Sequence, residues 1–151
     1  WKDVAWLQSI SHVPLLLKGI VTADDAERGV NAGARGILVS NHGGRALDTL
    51  PATIDALPEV AERVGGRIPV LVGGGVRRGT DVLKAVALGA SAVLIGRPYC
   101  YALSVGGAGG VQRAIEILRV ELEMAMQLMG RRSLREIDRS ILWNTLMPTP
   151  R

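Results

Sequence analysis

Four short runs of apolar residues recur along the chain, with longer stretches of mixed polarity between them. The runs cover residues 13–18, 36–40, 68–72 and 92–95. They are apolar throughout rather than alternating, which is typical of strands buried on both faces of a sheet. We therefore predict four strands, the first of which ends at Lys18.

The stretches that follow these runs carry helix signals. Thr22 followed by Asp25 resembles a capping box, and Ser133 with Glu136 offers another for a short final helix. Longer helices, each followed by a glycine, are predicted over 23–31, 53–64, 80–88 and 111–129. In the longest of them one apolar stripe repeats at steps of three and four: Val111, Ile115, Leu118, Leu122, Ala125 and Met129.

Alternating strands and helices predict an α/β fold with parallel strands and right-handed crossovers. Two architectures fit, an open doubly wound sheet and part of a (β/α)8 barrel. A whole barrel needs about 250 residues, so a chain of 151 residues supplies half of one. Trp1 is not expected to be a translation start.

Composition narrows the class of protein. Hydrophobic residues make up 48% and charged residues 21%, enough for a core and unlike a disordered tail. The net charge is +4, but the basic residues are scattered without aromatics between them, so we expect no nucleic-acid partner. No apolar run approaches the roughly 20 residues of a membrane span. The single cysteine, Cys100, excludes an internal disulfide and fits a reducing compartment.

Unusual polar and glycine residues collect where the predicted strands end. Lys18 closes the first strand, and residues 40–45 (Ser-Asn-His-Gly-Gly-Arg) follow the second. Residues 73–77 (Gly-Gly-Gly-Val-Arg) follow the third, and 96–98 (Gly-Arg-Pro) follow the fourth. Each alone is explained by an ordinary turn or a solvated charge. Because ligands bind at the carboxyl ends of parallel strands, the four together favour one site.

The residue types at these ends suggest the chemistry of the site. Gly74 and Gly75 before the helix at Thr80, with Gly96 and Arg97 beside them, resemble a phosphate cradle assisted by the helix N-terminus. His42 can accept a proton near neutral pH. Arg45 can hold a carboxylate through two hydrogen bonds.

These residues resemble the FMN-dependent α-hydroxy acid oxidase and dehydrogenase family, of the glycolate oxidase and flavin L-lactate dehydrogenase type. The matching stretches are LLLKGI (15–20), VSNHGGRALD (39–48), LVGGGVRRGTDVLKAVALGA (71–90), IGRP (95–98) and GRRSLREI (130–137). The resemblance implies a (β/α)8 barrel of which residues 1–151 are the C-terminal half, ending in a helical segment at about 111–143. It implies an enzyme that oxidises an L-2-hydroxy acid to the 2-oxo acid, incomplete as this chain alone.

The resemblance also implies residue roles. His42 would be the base and would contact substrate, and Arg45 would hold the substrate carboxylate. Lys18 would lie near flavin N1 and O2, and Ser40 would touch the flavin. The remaining FMN-binding positions, most of them at the phosphate, would be Gly73, Gly74, Gly75, Val76, Arg77, Gly96 and Arg97. The family usually has Asp where this chain has Gly73, and no metal site is implied.

Several alternatives stay open. Another FMN- or phosphate-binding barrel, such as a type 2 isopentenyl diphosphate isomerase or an IMP-dehydrogenase-like enzyme, fits the phosphate cradle but has no need of the pair of His42 and Arg45. A non-catalytic truncated half-barrel is the other. We expect a homo-oligomer or association with the missing N-terminal half. The expected location is the cytoplasm, or the periphery of a membrane if a quinone accepts the electrons.

Six further residues are expected to have no catalytic role. Asp48 should cap its own loop through local hydrogen bonds. Cys100 should be a small packed residue. His12 should be exposed in a turn. The three methionines Met124, Met126 and Met129 should serve helix packing.

Overall fold

A computed structural model describes residues 1–143 and contains a four-stranded parallel sheet. The strands are β1 (Leu16–Ile20), β2 (Gly36–Val39), β3 (Val70–Gly73) and β4 (Ala92–Leu94). They lie side by side in the order β1-β2-β3-β4, all parallel. The predicted α/β class and the four strands are therefore confirmed.

The bounds of the first strand differ from the prediction. β1 begins at Leu16 and continues through Lys18 to Ile20, so Lys18 lies inside the strand rather than at its end. The pairing with β2 shifts between Lys18 and Ile20, where Gly19 has a φ of +96°. A glycine in this conformation lets the strand bulge instead of stopping.

A helix follows each strand as predicted, a further helix precedes β1, and the last helix begins earlier than predicted. The helices are α1 (Lys2–Ile10), α2 (Ala23–Asn31), α3 (Thr53–Val64), α4 (Gly79–Ala87) and α5 (Arg97–Leu128). The sequence prediction missed α1, which has no buried residue and therefore no clear apolar stripe. The Thr22 cap is present, since its Oγ1 accepts a hydrogen bond from the Asp25 N–H at 3.2 Å.

Helix α5 starts fourteen residues earlier than the predicted start at Val111. Gly96 precedes it and Pro98 lies in its first turn, a position that suits proline because the N–H there has no helical partner. The helix is kinked at Gly106 and Gly107, which interrupt its apolar pattern and explain why only the second part was predicted. One-turn 3₁₀ helices follow at Leu134–Glu136 and Arg139–Ile141.

The main core lies between the sheet and α2 and α3. All of β2 is buried, and its Ile37 and Val39 join Leu57, Val60 and Val64 in the core cluster. The prediction of burial on both faces is thus confirmed for β2. It is wrong for the outer strands, where Leu16 remains 47% exposed and Leu94 39% exposed, because each outer strand has only one neighbour among residues 1–143.

A smaller core joins α4 to α5 and to the segment around Ile137. Leu83, Ala87 and Ile137 are buried there, with Leu122, Ala125 and Met126 packed against them. The predicted stripe on α5 is therefore only partly buried, since Ile115 and Met129 are exposed. Of the three methionines, Met126 packs as predicted whereas Met124 and Met129 do not.

Candidate active site

One cavity of about 400 Å³ opens at the carboxyl ends of the strands. The structure brings every site residue suggested by the sequence to its walls: Lys18, Ser40, His42, Arg45, Gly73, Gly74, Gly75, Val76, Arg77, Gly96 and Arg97. They come from β1, the β2–α3 turn, the β3–α4 turn and the start of α5. Parallel pairing of the strands explains why these residues lie together, because it brings all four carboxyl ends to the same edge of the sheet.

The charge around this cavity has one sign. Lys18, Arg45, Arg77 and Arg97 line it, and no Asp or Glu is among its lining residues within the part of the chain described. An adjacent cavity of about 520 Å³ shares Gly74, Gly75 and Arg97 but is also lined by Asp48 and Asp81. Uncompensated cations around a concave surface attract anions. The 400 Å³ cavity is therefore suited to an anionic ligand.

The turn that carries His42 is fixed by its own neighbours. Ser40 Oγ accepts a hydrogen bond from the His42 N–H at 3.1 Å, and Asn41 Oδ1 accepts one from the Gly43 N–H at 3.0 Å. Asn41 Nδ2 also donates to the Pro51 carbonyl at 3.1 Å. His42 has a φ of +56°, the only positive value at a non-glycine position among residues 1–143. Such a conformation persists only where its surroundings enforce it.

Lys18 and His42 are in contact. Lys18 Nζ lies 3.4 Å from His42 Nδ1. Because an ammonium can only donate, Nδ1 is the acceptor in this contact, which ties the Lys18 side chain to the imidazole of His42.

The glycine turn after β3 is fixed from outside. Thr53 Oγ1, at the start of α3, donates to the Gly74 carbonyl at 3.2 Å. Asp81 Oδ2 accepts from the N–H groups of Arg77 and Arg78, both at 2.9 Å. The turn itself requires glycine, since φ is +126° at Gly74 and +77° at position 75.

This arrangement changes the expected role of the α4 N-terminus. α4 begins at Gly79, and carboxylates of the chain already accept hydrogen bonds from the N–H groups of Arg77, Arg78 and Gly79. By contrast, no hydrogen bond within residues 1–143 uses the N–H groups of Gly75 and Val76. The glycine turn, rather than the helix end, thus offers free donors to an anion.

The first turn of α5 adds two residues that the sequence analysis missed. Tyr99 and Cys100 line the cavity next to Arg97. Cys100 is exposed, so its predicted packed position is wrong. Hydrogen bonding with the Cys100 side chain, then its charge and then burial raise the pKa of Tyr99 above its ordinary value. The sequence signal for both was Gly96 followed by Pro98, a helix start.

The loop around Asp48 differs from the prediction as well. Asp48 is exposed and makes no hydrogen bond within residues 1–143, so the expected cap is absent. Asn41 holds this loop instead. His12, by contrast, is exposed as predicted.

Comparison with known proteins identifies the family. Residues 1–144 match the sequence profile described as FMN-dependent dehydrogenase. The chain belongs to this family. It is 56% identical to glycolate oxidase 3 of Arabidopsis thaliana over 148 residues, which are 96% of this chain and 40% of that protein. It is 55% identical to an L-lactate oxidase of Nostoc sp. over 142 residues, 94% of this chain and 39% of that protein.

Solved structures of similar fold agree. A mandelate oxidase with (S)-2-phenylpropionate superposes with a TM-score of 0.89 at 48% identity, covering 92% of this chain and 42% of the other. A lactate oxidase of Pediococcus acidilactici gives a TM-score of 0.88 at 46% identity, covering 91% and 38%. The chain spans about two fifths of the length of these relatives.

No helix within residues 1–143 combines the length and the apolar character that a membrane crossing requires.

Proposed function

We propose that this chain is the C-terminal half of a (β/α)8 barrel that oxidises an L-2-hydroxy acid to the 2-oxo acid with FMN. The consecutive strand order supports this proposal, because it is the order of neighbouring strands in such a barrel. The two outer strands support it too. Leu16 on β1 and Leu94 on β4 are apolar and partly exposed, as strand edges are before further strands cover them.

The residues at the cavity fit FMN. The free N–H groups of Gly75 and Val76 and the side chains of Arg77 and Arg97 suit a phosphate. A Cβ built at Gly75 or at Gly96 meets nothing within 4 Å, so the backbone is open to a ligand at both places. Gly73, Gly74 and Gly96 would complete the cradle, Ser40 would contact the flavin, and the Lys18 ammonium would stabilise the negative charge of the reduced flavin.

When bound, FMN supplies the acceptor for the hydride that leaves the substrate α-carbon. His42 takes the hydroxyl proton as the hydride leaves, so that the oxygen becomes the carbonyl of the 2-oxo acid. Lys18 Nζ lies beside the His42 imidazole, so the proposed base and the proposed flavin-contacting cation are adjacent at the cavity.

Arg45 holds the substrate. It lines the same cavity as His42, three residues along the same turn, and no carboxylate among the described lining residues competes for it. Its fork matches a carboxylate in two parallel hydrogen bonds. The carboxylate of a 2-hydroxy acid would lie on Arg45, with the neighbouring hydroxyl toward His42.

The protein would act in an assembly, either with the N-terminal half of the barrel or as a homo-oligomer. The exposed apolar outer strands would be the contact surfaces. A single species with the mass of one 151-residue chain in light scattering at high concentration, with a cooperative melt, would contradict this part of the proposal. The location we propose is the cytoplasm, or the periphery of a membrane if a quinone accepts the electrons.

The observation that carries the proposal is the cation-lined cavity in which all the suggested residues meet. The test is a titration of the purified protein with FMN, followed by fluorescence quenching. We expect saturable binding that inorganic phosphate weakens, and about tenfold lower affinity in Arg97→Gln, which loses a charged hydrogen bond. Arg113→Gln is the matched control, since Arg113 pairs with Glu116 on the outer face of α5. Absence of FMN binding would favour a non-catalytic chain instead.

A further inference from the structure

The N-terminus of α4 is in direct contact with α5. Gly79, the first residue of α4, is buried, and a Cβ placed on it would overlap the backbone nitrogen of Leu122. The two helices therefore approach as closely as backbones can at this point. Glu121, next to Leu122, is carried by this contact to the end of the glycine turn.

Glu121 makes three contacts with that end of the turn. Its Oε2 accepts from the Gly79 N–H at 2.8 Å and from Arg78 Nε at 3.1 Å. Its Oε1 lies 2.9 Å from the second terminal nitrogen of Arg78. The Glu121 side chain is 24% exposed, whereas that of Arg78 is 70% exposed. A half-buried carboxylate with a two-pronged arginine partner and a backbone donor is held in one geometry.

The contacts bear on the turn and not on the cavity itself. Neither Glu121 nor Arg78 lines the 400 Å³ cavity. Arg78 directly follows Arg77, however, and Gly75 and Val76 carry the free N–H groups three and two positions before Arg78. A shift of Arg78 and Gly79 would therefore tilt the donors that face an anion. Misplacement of donors by a fraction of an ångström weakens such a site.

We propose that Glu121 is a positioning residue for the anion-binding turn, setting the affinity for the phosphate end of the cofactor through Arg78 and Gly79. This inference rests on the proposed FMN function. It gives the C-terminal helix a part in cofactor binding, because α5 holds Arg97 in the cavity at one end and Glu121 behind the turn further along.

The test compares FMN with riboflavin, which lacks the phosphate, in the purified protein. In Glu121→Gln the amide can still accept from Gly79 but loses its charge toward Arg78. We expect FMN affinity to fall about tenfold, as for the loss of one charged hydrogen bond. Riboflavin affinity should stay unchanged, and the inhibition of FMN binding by inorganic phosphate should weaken in proportion. The rate of 2-hydroxy acid oxidation by Glu121→Gln at saturating FMN should stay at the wild-type value.

Glu123→Gln is the matched control. Glu123 is two residues after Glu121 on the same helix. Within the described chain it pairs only with Arg119, at 2.6 Å. The same change of charge at Glu123 should therefore leave FMN affinity unchanged. Arg78→Gln removes the ion pair from its exposed side, and the double variant should be no weaker than either single variant if both act through one contact.

The outcomes separate the two proposals. Equal loss of FMN and riboflavin affinity in Glu121→Gln would assign Glu121 a general structural role and overturn the inference. Unchanged FMN affinity, or additive effects of the two substitutions, would overturn it as well while leaving the proposed function standing. A wild-type protein that binds neither FMN nor phosphate would overturn the proposed function and this inference together.

Discussion

The two turns that form the cavity are held in different ways. The turn around His42 is held by its own sequence, since Ser40 and Asn41 supply the acceptors for the next backbone donors. The glycine turn is held by side chains from three helices, Thr53 of α3, Asp81 of α4 and Glu121 of α5. The first turn can form wherever its strand ends, whereas the second depends on helix packing.

This difference separates the residues proposed to act on the substrate from those proposed to bind the phosphate of FMN. The proposed base stands on the self-contained turn, with its backbone strained at a φ of +56°. The proposed phosphate donors stand on the turn that the rest of the fold supports. Substitutions at the first turn should therefore change the rate or the KM for the substrate, and those behind the second turn should change FMN affinity or stability.

The largest expected effect is at His42. His42→Asn and His42→Ala should both lower the rate of 2-hydroxy acid oxidation by about 10²- to 10⁴-fold, the usual contribution of a positioned base. Asparagine tolerates a positive φ better than alanine, so His42→Asn should keep wild-type stability and His42→Ala should be less stable. Steady-state kinetics and urea unfolding measure the two effects, and FMN should remain bound in both variants. A rate near that of wild type in either variant would remove the base from the mechanism.

Arg45, on the same turn, should affect substrate binding. Arg45→Ala loses a charged, two-pronged contact of about 1.5–3 kcal/mol, so the KM for the hydroxy acid should rise by about ten- to hundredfold. Arg45→Lys should restore only part of this, since an ammonium cannot form the fork. Unfolding midpoints should match wild type because Arg45 is exposed. Equal KM values in wild type and Arg45→Ala would place the substrate carboxylate elsewhere.

Behind the second turn, Gly79 should affect stability. Gly79→Ala forces α4 and α5 apart, because the new Cβ overlaps the Leu122 backbone, and should cost about 1–3 kcal/mol in urea unfolding. Gly75→Ala is the matched comparison, since its Cβ has open space and its cost comes from a φ of +77° alone. It should be the less destabilised of the two and lose more FMN affinity. Greater destabilisation of Gly75→Ala than of Gly79→Ala would mean that packing of α5 does not support the turn.

Gly73 allows a gain rather than a loss. A Cβ there meets Leu94 at 3.5 Å and Leu38 at 3.7 Å, both ordinary contacts, so an aspartate fits. Its carboxylate could accept a hydrogen bond from a ribityl hydroxyl, while Arg77 and Arg97 limit repulsion from the phosphate. Gly73→Asp should therefore raise FMN affinity about tenfold. Unchanged or weaker binding in the fluorescence titration would show that the turn accommodates glycine already.

The smallest effect is expected at a helix contact far from the cavity. Hydrogen bonds from Arg67 hold the pKa of Glu27 below its ordinary value. This pair therefore stabilises the protein above the pKa of the unfolded carboxyl, and the contribution disappears as the pH falls through the folded pKa. Glu27→Gln should flatten the acid side of the stability profile slightly and leave FMN affinity unchanged. A change of FMN affinity would mean that any helix contact, not only that of Glu121, reaches the site.

The sequence allowed the strands and most residues of the cavity, but not Tyr99 and Cys100, to be predicted because both depend on local pattern. Apolar runs mark the strands, and the polar residues at their ends meet once the strands are parallel. Glu121 and Thr53 could not be found this way, since their partners lie 42 and 21 positions away in the chain. Lys18 inside a bulged strand, and the early start of α5 at Arg97, depended on single glycines whose conformation the pattern does not specify.

The activity proposed for the cavity is oxidation of a 2-hydroxy acid on bound FMN. The most direct measurement follows the visible flavin absorption of the FMN-loaded protein after anaerobic addition of L-lactate or glycolate. We expect the absorption to bleach with either acid and to persist with propionate, which has the carboxylate but no hydroxyl. Oxidised flavin that persists with both hydroxy acids, although FMN is bound, would contradict it.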